Sequence, residues 1–268
     1  MTKLVTRFVA VLALTLPGAL LAACSGSGSS RLDQPIGPAL MSALQAASQV
    51  GLTDRAPVIG NSLQRIAGPP VTPDKKPGVL YMGADFCPYC AALRWPLVLA
   101  LSRFGDFKNL RTMRSSSTDV YPDTVTFSFH GTQYESRYLT FQSVEFSDRN
   151  HKPLEQPDAH QLALFNRFDA PPYAASAGGI PFLYFGGRYL QLGAPFDPAL
   201  LKGMGWAQAV GRIKQQNTVL GRQVMGVANF YTAALCELTE GQPARVCTAS
   251  AVKAAAVTLP VAIRESAP

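Results

Sequence analysis

The residues best suited to chemistry in this chain of 268 are Cys87-Pro88-Tyr89-Cys90, two thiols with two residues between them. They follow a short apolar run, 78–82, and open a stretch of helical period from 88 to 104. In that frame Cys87 is the N-cap. Pro88 takes the first helical position, where its missing N–H would have no partner anyway. The Cys87 sulfur then faces the free amides of Tyr89 and Cys90. Those amides and the helix dipole favour negative charge. A thiol that titrates at about pH 8.5 when free becomes a nucleophile at neutral pH in such a place. Cys90, one turn on, can attack a mixed disulfide formed at Cys87. The spacing therefore suits thiol–disulfide exchange.

Three other readings use the same pair. A structural zinc site needs four ligands, and His130, His151 and His160 form no spaced pair to complete one. Covalent haem wants histidine directly after the second cysteine, and residue 91 is alanine. A purely structural disulfide across so tight a loop would constrain little of the unfolded chain. No nucleotide-binding loop, serine nucleophile elbow or paired carboxylate site is present, and no cofactor is expected.

Cys236 and Cys247 flank a segment containing Gly241-Gln242-Pro243, which reads as the turn between two helices. A structural disulfide stapling that turn is expected, with a redox relay to Cys87 and Cys90 as the alternative. Asp85 reads as a solvated strand end or as a proton shuttle to Cys90. Arg94 reads as surface charge or, one turn past Cys90, as support for a thiolate. Trp95, Phe127, Phe129, Tyr138, Phe141 and Phe146 are assigned to packing.

The elements that must position the dithiol follow from periodicity. Residues 38–50 read as a helix with Gly51 as its stop, and the breaker-rich 68–77 as a connector. Leu93, Leu97, Leu101 and Phe104 mark one apolar stripe of the helix after Cys90, with Pro96 inside it as an expected kink. Strands are expected at 110–113, 125–129 and 138–146, and a helix at 157–168. Gly178-Gly179-Ile180-Pro181 precedes a hairpin over 182–192 that turns at Gly186-Gly187. The rest is helical: 197–213, 220–238 and a last helix after Cys247. This order argues for an α/β core with a helical C-terminal extension.

Composition agrees with a packed domain: 47% of residues are hydrophobic and 15% charged, which argues against a disordered chain. Formal net charge is +7, and Lys3 and Arg7 of the first 23 residues account for two of those charges. The remaining basic residues are scattered apart from Lys75-Lys76, so no nucleic-acid partner is expected. Lys3 and Arg7 precede an apolar run, 8–23, broken by Pro17-Gly18. It is short for a membrane span, which takes about 20 apolar residues, and fits a secretory signal. The run ends Leu21-Ala22-Ala23-Cys24 before a Gly/Ser tract, which resembles the lipobox of bacterial lipoproteins. That implies lipidation at Cys24 and an extracytoplasmic protein anchored to the membrane. The alternative is an ordinary cleaved signal with an incidental cysteine.

The order strand, Cys-x-x-Cys, proline-bearing helix, then Gly-Ile-Pro before a hairpin resembles the thioredoxin superfamily, and Pro-Tyr between the cysteines is the dipeptide of glutaredoxins. The resemblance implies that Pro181 is cis, faces the dithiol and shapes a substrate groove with Ile180, Pro88 and Tyr89. Two departures stand out: Pro96 lies six residues past Cys90 instead of five, and the position of the buried acid falls on Tyr81. The runs 83–95 and 100–105, with Ser115-Ser116, Thr126–Phe129, Ile180-Pro181-Phe182, Ala228-Asn229 and the last cysteine pair, also resemble an uncharacterised prokaryotic thioredoxin-like family. It is known only as a domain of unknown function, and the resemblance spans about residues 40–255.

The organisation expected is a signal over 1–23, a flexible tether over 24–37, an N-terminal helix and connector over 38–77, a thioredoxin-like domain over 78–195 and a helical extension over 196–268. The function expected is an extracytoplasmic thiol–disulfide oxidoreductase acting on protein thiols or disulfides. The alternative is a non-catalytic, lipid-anchored binding or scaffold protein on the same fold.

Overall fold

In the computed structural model, residues 1, 32–53, 63–71 and 75–261 are described. Cys24, its lipobox and most of the expected tether lie outside them. The first helix, α1, is Pro38–Thr53, and a two-residue strand, β1, is Gln64–Arg65. Strand β2, Gly78–Gly83, leads into α2, Pro88–Leu101. Four short strands follow: β3 Gly105–Lys108, β4 Arg111–Arg114, β5 Val125–Ser128 and β6 Gln133–Ser136. Then come β7 Thr140–Glu145, α3 Ala159–Phe168, β8 Phe182–Phe185 and β9 Tyr189–Leu192. A 3-10 turn, Pro198–Leu201, precedes α4 Trp206–Lys214, α5 Val219–Leu238, α6 Ala244–Cys247 and α7 Ser250–Ala256.

The result is a mixed α/β architecture. Five strands form one sheet in the order β1-β9-β8-β2-β7, while β3 with β6 and β4 with β5 make two separate ribbons. β2 runs parallel to β7, from Gly78 opposite Thr140 to Gly83 opposite Glu145. It is antiparallel to β8 on its other side. Alternation along a strand sends successive side chains to opposite faces. Val79, Tyr81, Leu183 and Phe185 accordingly join the core built with α2 and α5. Leu80, Met82, Phe182 and Tyr184 join the core built with Leu164, Phe165 and Phe168 of α3. The sheet is thus covered on both faces, which is why β2 and β8 are apolar at every position but one glycine pair.

Helix α2 departs from its expected amphipathic stripe: from Cys90 to Leu101 every residue is buried. A helix buried all round must be covered on several sides, and α1, α5 and β5 all pack against it. The C-terminal helices are therefore part of the main core and do not form an appendage. The described residues form one compact unit from 32 onward, across the boundaries expected at 77 and 195.

Three local expectations are corrected. The tether was expected to reach residue 37, but the backbone of Asp33, Gln34 and Ile36 hydrogen-bonds to that of Leu110 and Thr112, so these residues belong to the domain. Gly51 lies inside α1 and does not end it; a Cβ there would sit 2.0 Å from Met225 Sδ, so glycine permits α1 to approach α5. The single helix expected over 197–213 is broken between the 3-10 turn and α4, where Gly203 has φ +71°. α4 restarts with Gly205 as its N-cap.

Candidate active site

Cys87 caps α2. Its backbone is extended (φ −78°, ψ 119°), Pro88 opens the helix, and its Sγ accepts a hydrogen bond from Cys90 N at 3.2 Å. Cys87 retains 4% of its exposure and Cys90 none. Both are free thiols. Their chemistry is split by this geometry. The Cys87 thiol is held below the usual cysteine range, first by a hydrogen bond from the Cys90 thiol, against its own burial, then by the amides of Cys90 and Tyr89 and the charge of Arg94. Cys90 is pushed well above that range by burial and by the neighbouring Cys87 sulfur. A proton shared by the pair therefore resides on Cys90 and leaves Cys87 as the nucleophile.

Across from Cys87 lies the loop that precedes β8. The Ile180–Pro181 peptide bond is cis. The Ile180 carbonyl faces the Cys87 thiol at 4.0 Å. Asp169, the C-cap of α3, holds this loop from behind: its buried carboxylate accepts the Gly179 N–H at 2.5 Å and also bonds to the Gly178 amide. Sequence reading passed over Asp169, whose partners lie beyond a run of Pro, Ala and Ser.

Behind Cys90 is a buried polar cluster. Arg94 has no exposure, so surface charge is the wrong reading for it. Its guanidinium makes a bidentate contact with Glu145, at 3.1 and 2.6 Å, and donates to Ala84 O at 2.9 Å. Asp85 is also buried and is not a solvated strand end. Its carboxyl accepts from Ser128 Oγ at 3.0 Å and lies 3.5 Å from Arg94. Burial, then the like charge of Glu145, push that carboxyl from 3.8 to about 7, against the pull of Arg94. Burial opposes the charge on Arg94, but Glu145, Tyr81 and Asp85 hold it firmly cationic. The Tyr81 hydroxyl fills the position of the expected buried acid. It packs with Cys90 Sγ over the open side of Gly83, where a Cβ would lie 2.1 Å from the hydroxyl and 3.1 Å from the sulfur.

Of the other expected groove residues, Tyr89 is 41% exposed and Pro88 is buried. Cys236 and Cys247 are disulfide-bonded, with Cα atoms 5.5 Å apart. The bond joins the end of α5 to α6. It borders a cavity shared with Arg65 and Tyr189, at the start of β9. Cys87 faces Ile180, before the start of β8. Because β8 and β9 are antiparallel, Tyr189 pairs with Phe185 at the far end of the hairpin from Phe182. The two cysteine pairs sit at opposite ends of the sheet, which suits a staple and not a direct relay. Among the described residues no three His, Cys, Asp or Glu side chains gather as metal ligands. No helix there is long and apolar enough to cross a membrane.

Residues 63–166 match the model of a family described as a domain of unknown function (DUF929). This is narrower than the span of about 40–255 expected from the sequence and covers less than half of the chain. The matched stretch holds Cys87, Cys90, Asp85, Arg94 and Glu145, and ends before Asp169, Ile180-Pro181 and the second cysteine pair. No curated protein and no solved structure matches the chain.

Proposed function

We propose that this protein is a thiol–disulfide oxidoreductase on a thioredoxin-like fold, working outside the cytoplasm from a lipid anchor at Cys24. The observation that carries the activity is the division of labour between the sulfurs. Cys87 sits at a helix start with amide donors and a nearby guanidinium, and Cys90 is sealed and protonated one turn on. The fold reading is supported by the order β2, dithiol, α2, by β7 parallel to β2, and by the β8–β9 hairpin entered through a cis proline. The anchor reading rests on the sequence around Cys24 alone.

In the reducing direction the Cys87 thiolate attacks a disulfide sulfur of the substrate. A Cys87–substrate S–S bond forms and the first substrate thiolate leaves, taking a proton from water. Cys90 then loses its proton and attacks Cys87 Sγ. The mixed disulfide breaks, the second substrate thiol leaves, and Cys87–Cys90 becomes a disulfide. Two electrons pass from the dithiol to the substrate. The oxidising direction is the reverse. The buried positive charge of Arg94 favours the thiolate in both steps.

The test is equilibration in glutathione buffers with free thiols counted by mass spectrometry. The proposal expects Cys87–Cys90 to open and close reversibly at a potential between about −270 and −120 mV, while Cys236–Cys247 stays closed. A Cys87–Cys90 pair that never closes, or opens only when the protein unfolds, rejects it. Cys87→Ser is expected to abolish exchange; retained function in the cell would favour the scaffold reading instead.

A further inference from the structure

Two cavities open beside the Ile180–Pro181 turn. The larger, about 520 Å³, is walled by Tyr89, Tyr121, Ile180, Phe196 and Pro198, with Asp197 as the charged side chain in its lining. The smaller, about 300 Å³, is lined in part by Tyr173, Ala174, Ser176 and Asp169. Ile180 and Gly193 line both. The cavities therefore meet at the ridge whose Ile180 carbonyl faces Cys87 at 4.0 Å. Both are of the size at which pockets begin to hold ligands, about 300–1,000 Å³.

Of the rings that wall the larger cavity, Tyr89 and Tyr121 are left partly in solvent and Phe196 is buried behind them. Tyr89 is two residues past Cys87, is 41% exposed, and meets Tyr121 edge to face with centroids 5.9 Å apart. Val120, next to Tyr121, is exposed as well. Apolar surface of this kind, joined to Cys87 through the shared Ile180, gains by being covered while the thiol reacts. Neither cavity has lysine or arginine in its lining, and each has an aspartate. A small anionic thiol such as glutathione would meet no opposite charge there.

We propose that the Tyr89–Tyr121–Phe196 cavity is a specificity pocket. Its occupant is an aromatic or large aliphatic side chain of an extended polypeptide, within two residues of the cysteine whose sulfur meets Cys87. An extended chain advances about 3.3 Å per residue and sends alternate side chains to one face. Ile180 forms both a wall of the pocket and the contact to the thiol, so the pocket borders the place where the substrate sulfur meets Cys87. Asp197 disfavours acidic segments. The inference rests on the thiol–disulfide reading of Cys87 and deepens it by naming the substrate class.

The experiment uses the reduced protein and peptides that carry one cysteine as a mixed disulfide with 5-thio-2-nitrobenzoate. Cys87 displaces the coloured thiolate and forms a Cys87–peptide disulfide. Cys90 then releases the peptide thiol and closes the protein disulfide, so two thiols are released for each dithiol oxidised. Phe, Leu, Ala or Glu is placed in turn at each of the two positions on either side of the cysteine. At one position Phe and Leu are expected to react about tenfold faster than Ala, the scale of an added apolar group in a pocket. Glu there is expected to be slowest. Tyr121→Ala should bring the Phe-to-Ala ratio near one. Asp197→Asn should raise the Glu-to-Ala ratio. Both readouts are ratios within one variant, so a general loss of reactivity cancels. Equal rates at all four positions, with bis(hydroxyethyl) disulfide still reduced, overturn the pocket and leave the redox reading standing. No reaction with any of these disulfides overturns both.

Discussion

Two arginines of the α2 region are buried, and the protein holds them in opposite ways. Arg94 sits behind the dithiol and is matched by the Glu145 carboxylate in a bidentate contact, with the Asp85 carboxyl 3.5 Å away. Arg103, just past the other end of α2, has no carboxylate partner among the described residues. Its guanidinium donates to neutral acceptors: Ser48 O of α1 at 3.1 Å, and Asn229 Oδ1 and Thr232 Oγ1 of α5 at 2.8 and 2.6 Å. Burial alone pushes its pKa down to about 9. The first arrangement fixes a charge next to two sulfurs. The second uses the five-donor fork as a cross-link among three helices. The lesson is that burial of a cation carries no functional meaning by itself; the partners decide it.

The largest effect that separates the two should come from Arg94→Met. It strands Glu145 in the core and should cost about 3–5 kcal/mol, read from urea unfolding. It should also raise the Cys87 thiol pKa, seen as slower alkylation at pH 6–7. An unchanged alkylation profile in a folded variant would remove Arg94 from the site. Arg103→Met should cost about 2–4 kcal/mol, since it leaves several buried acceptors unpaired, with no change in that profile. A shifted profile would mean that the two arginines are not separate in role.

The next contrast is pH. The Asp85 carboxyl, at about 7, lies above its ordinary value of 3.8, so the fold favours its protonated form. The stability it contributes is full below pH 4 and is lost as pH rises through 7. Wild type should therefore lose stability relative to Asp85→Asn across that window, by a few kcal/mol on the scale of about 1.4 kcal/mol per unit. Parallel stability curves would show that Asp85 does not titrate there. The smallest stability effect is expected for Arg94→Met combined with Glu145→Leu. Replacing both members of a buried pair by apolar groups is close to neutral. The raised Cys87 pKa should persist, which isolates the electrostatic role from the structural one.

The site divides in the same way between local and distant causes. Cys87 as N-cap, Pro88 at the first helical position and the Cys90 amide as donor all lie within four residues, and were legible for that reason. So was the β8–β9 hairpin, where strand alternation and Gly186-Gly187 sit side by side. The ribbon strands β3 and β6 were missed: Gly105–Lys108 and Gln133–Ser136 are four residues each, half-exposed and rich in charge or polar groups, with little pattern to read. The burial of Arg94 was missed because its partner Glu145 is 51 residues away and arrives only when β7 pairs with β2. Asp169 was missed for a similar reason, since it acts by capping α3 and holding the loop before Pro181 at once.

Readable in the sequence are the Cys87–Cys90 dithiol and its immediate frame: a Cys-x-x-Cys at a helix start, a proline-led hairpin, and a second cysteine pair across a Gly/Pro turn. Those features depend on backbone geometry over a few residues. The packing of distant elements settles that Cys90 is sealed, that Arg94 and Asp85 are interior, and that the second pair lies at the far end of the sheet. These depend on which elements cover one another. In a low-dielectric interior, that covering sets whether a carboxyl, a guanidinium or a thiol carries charge at all.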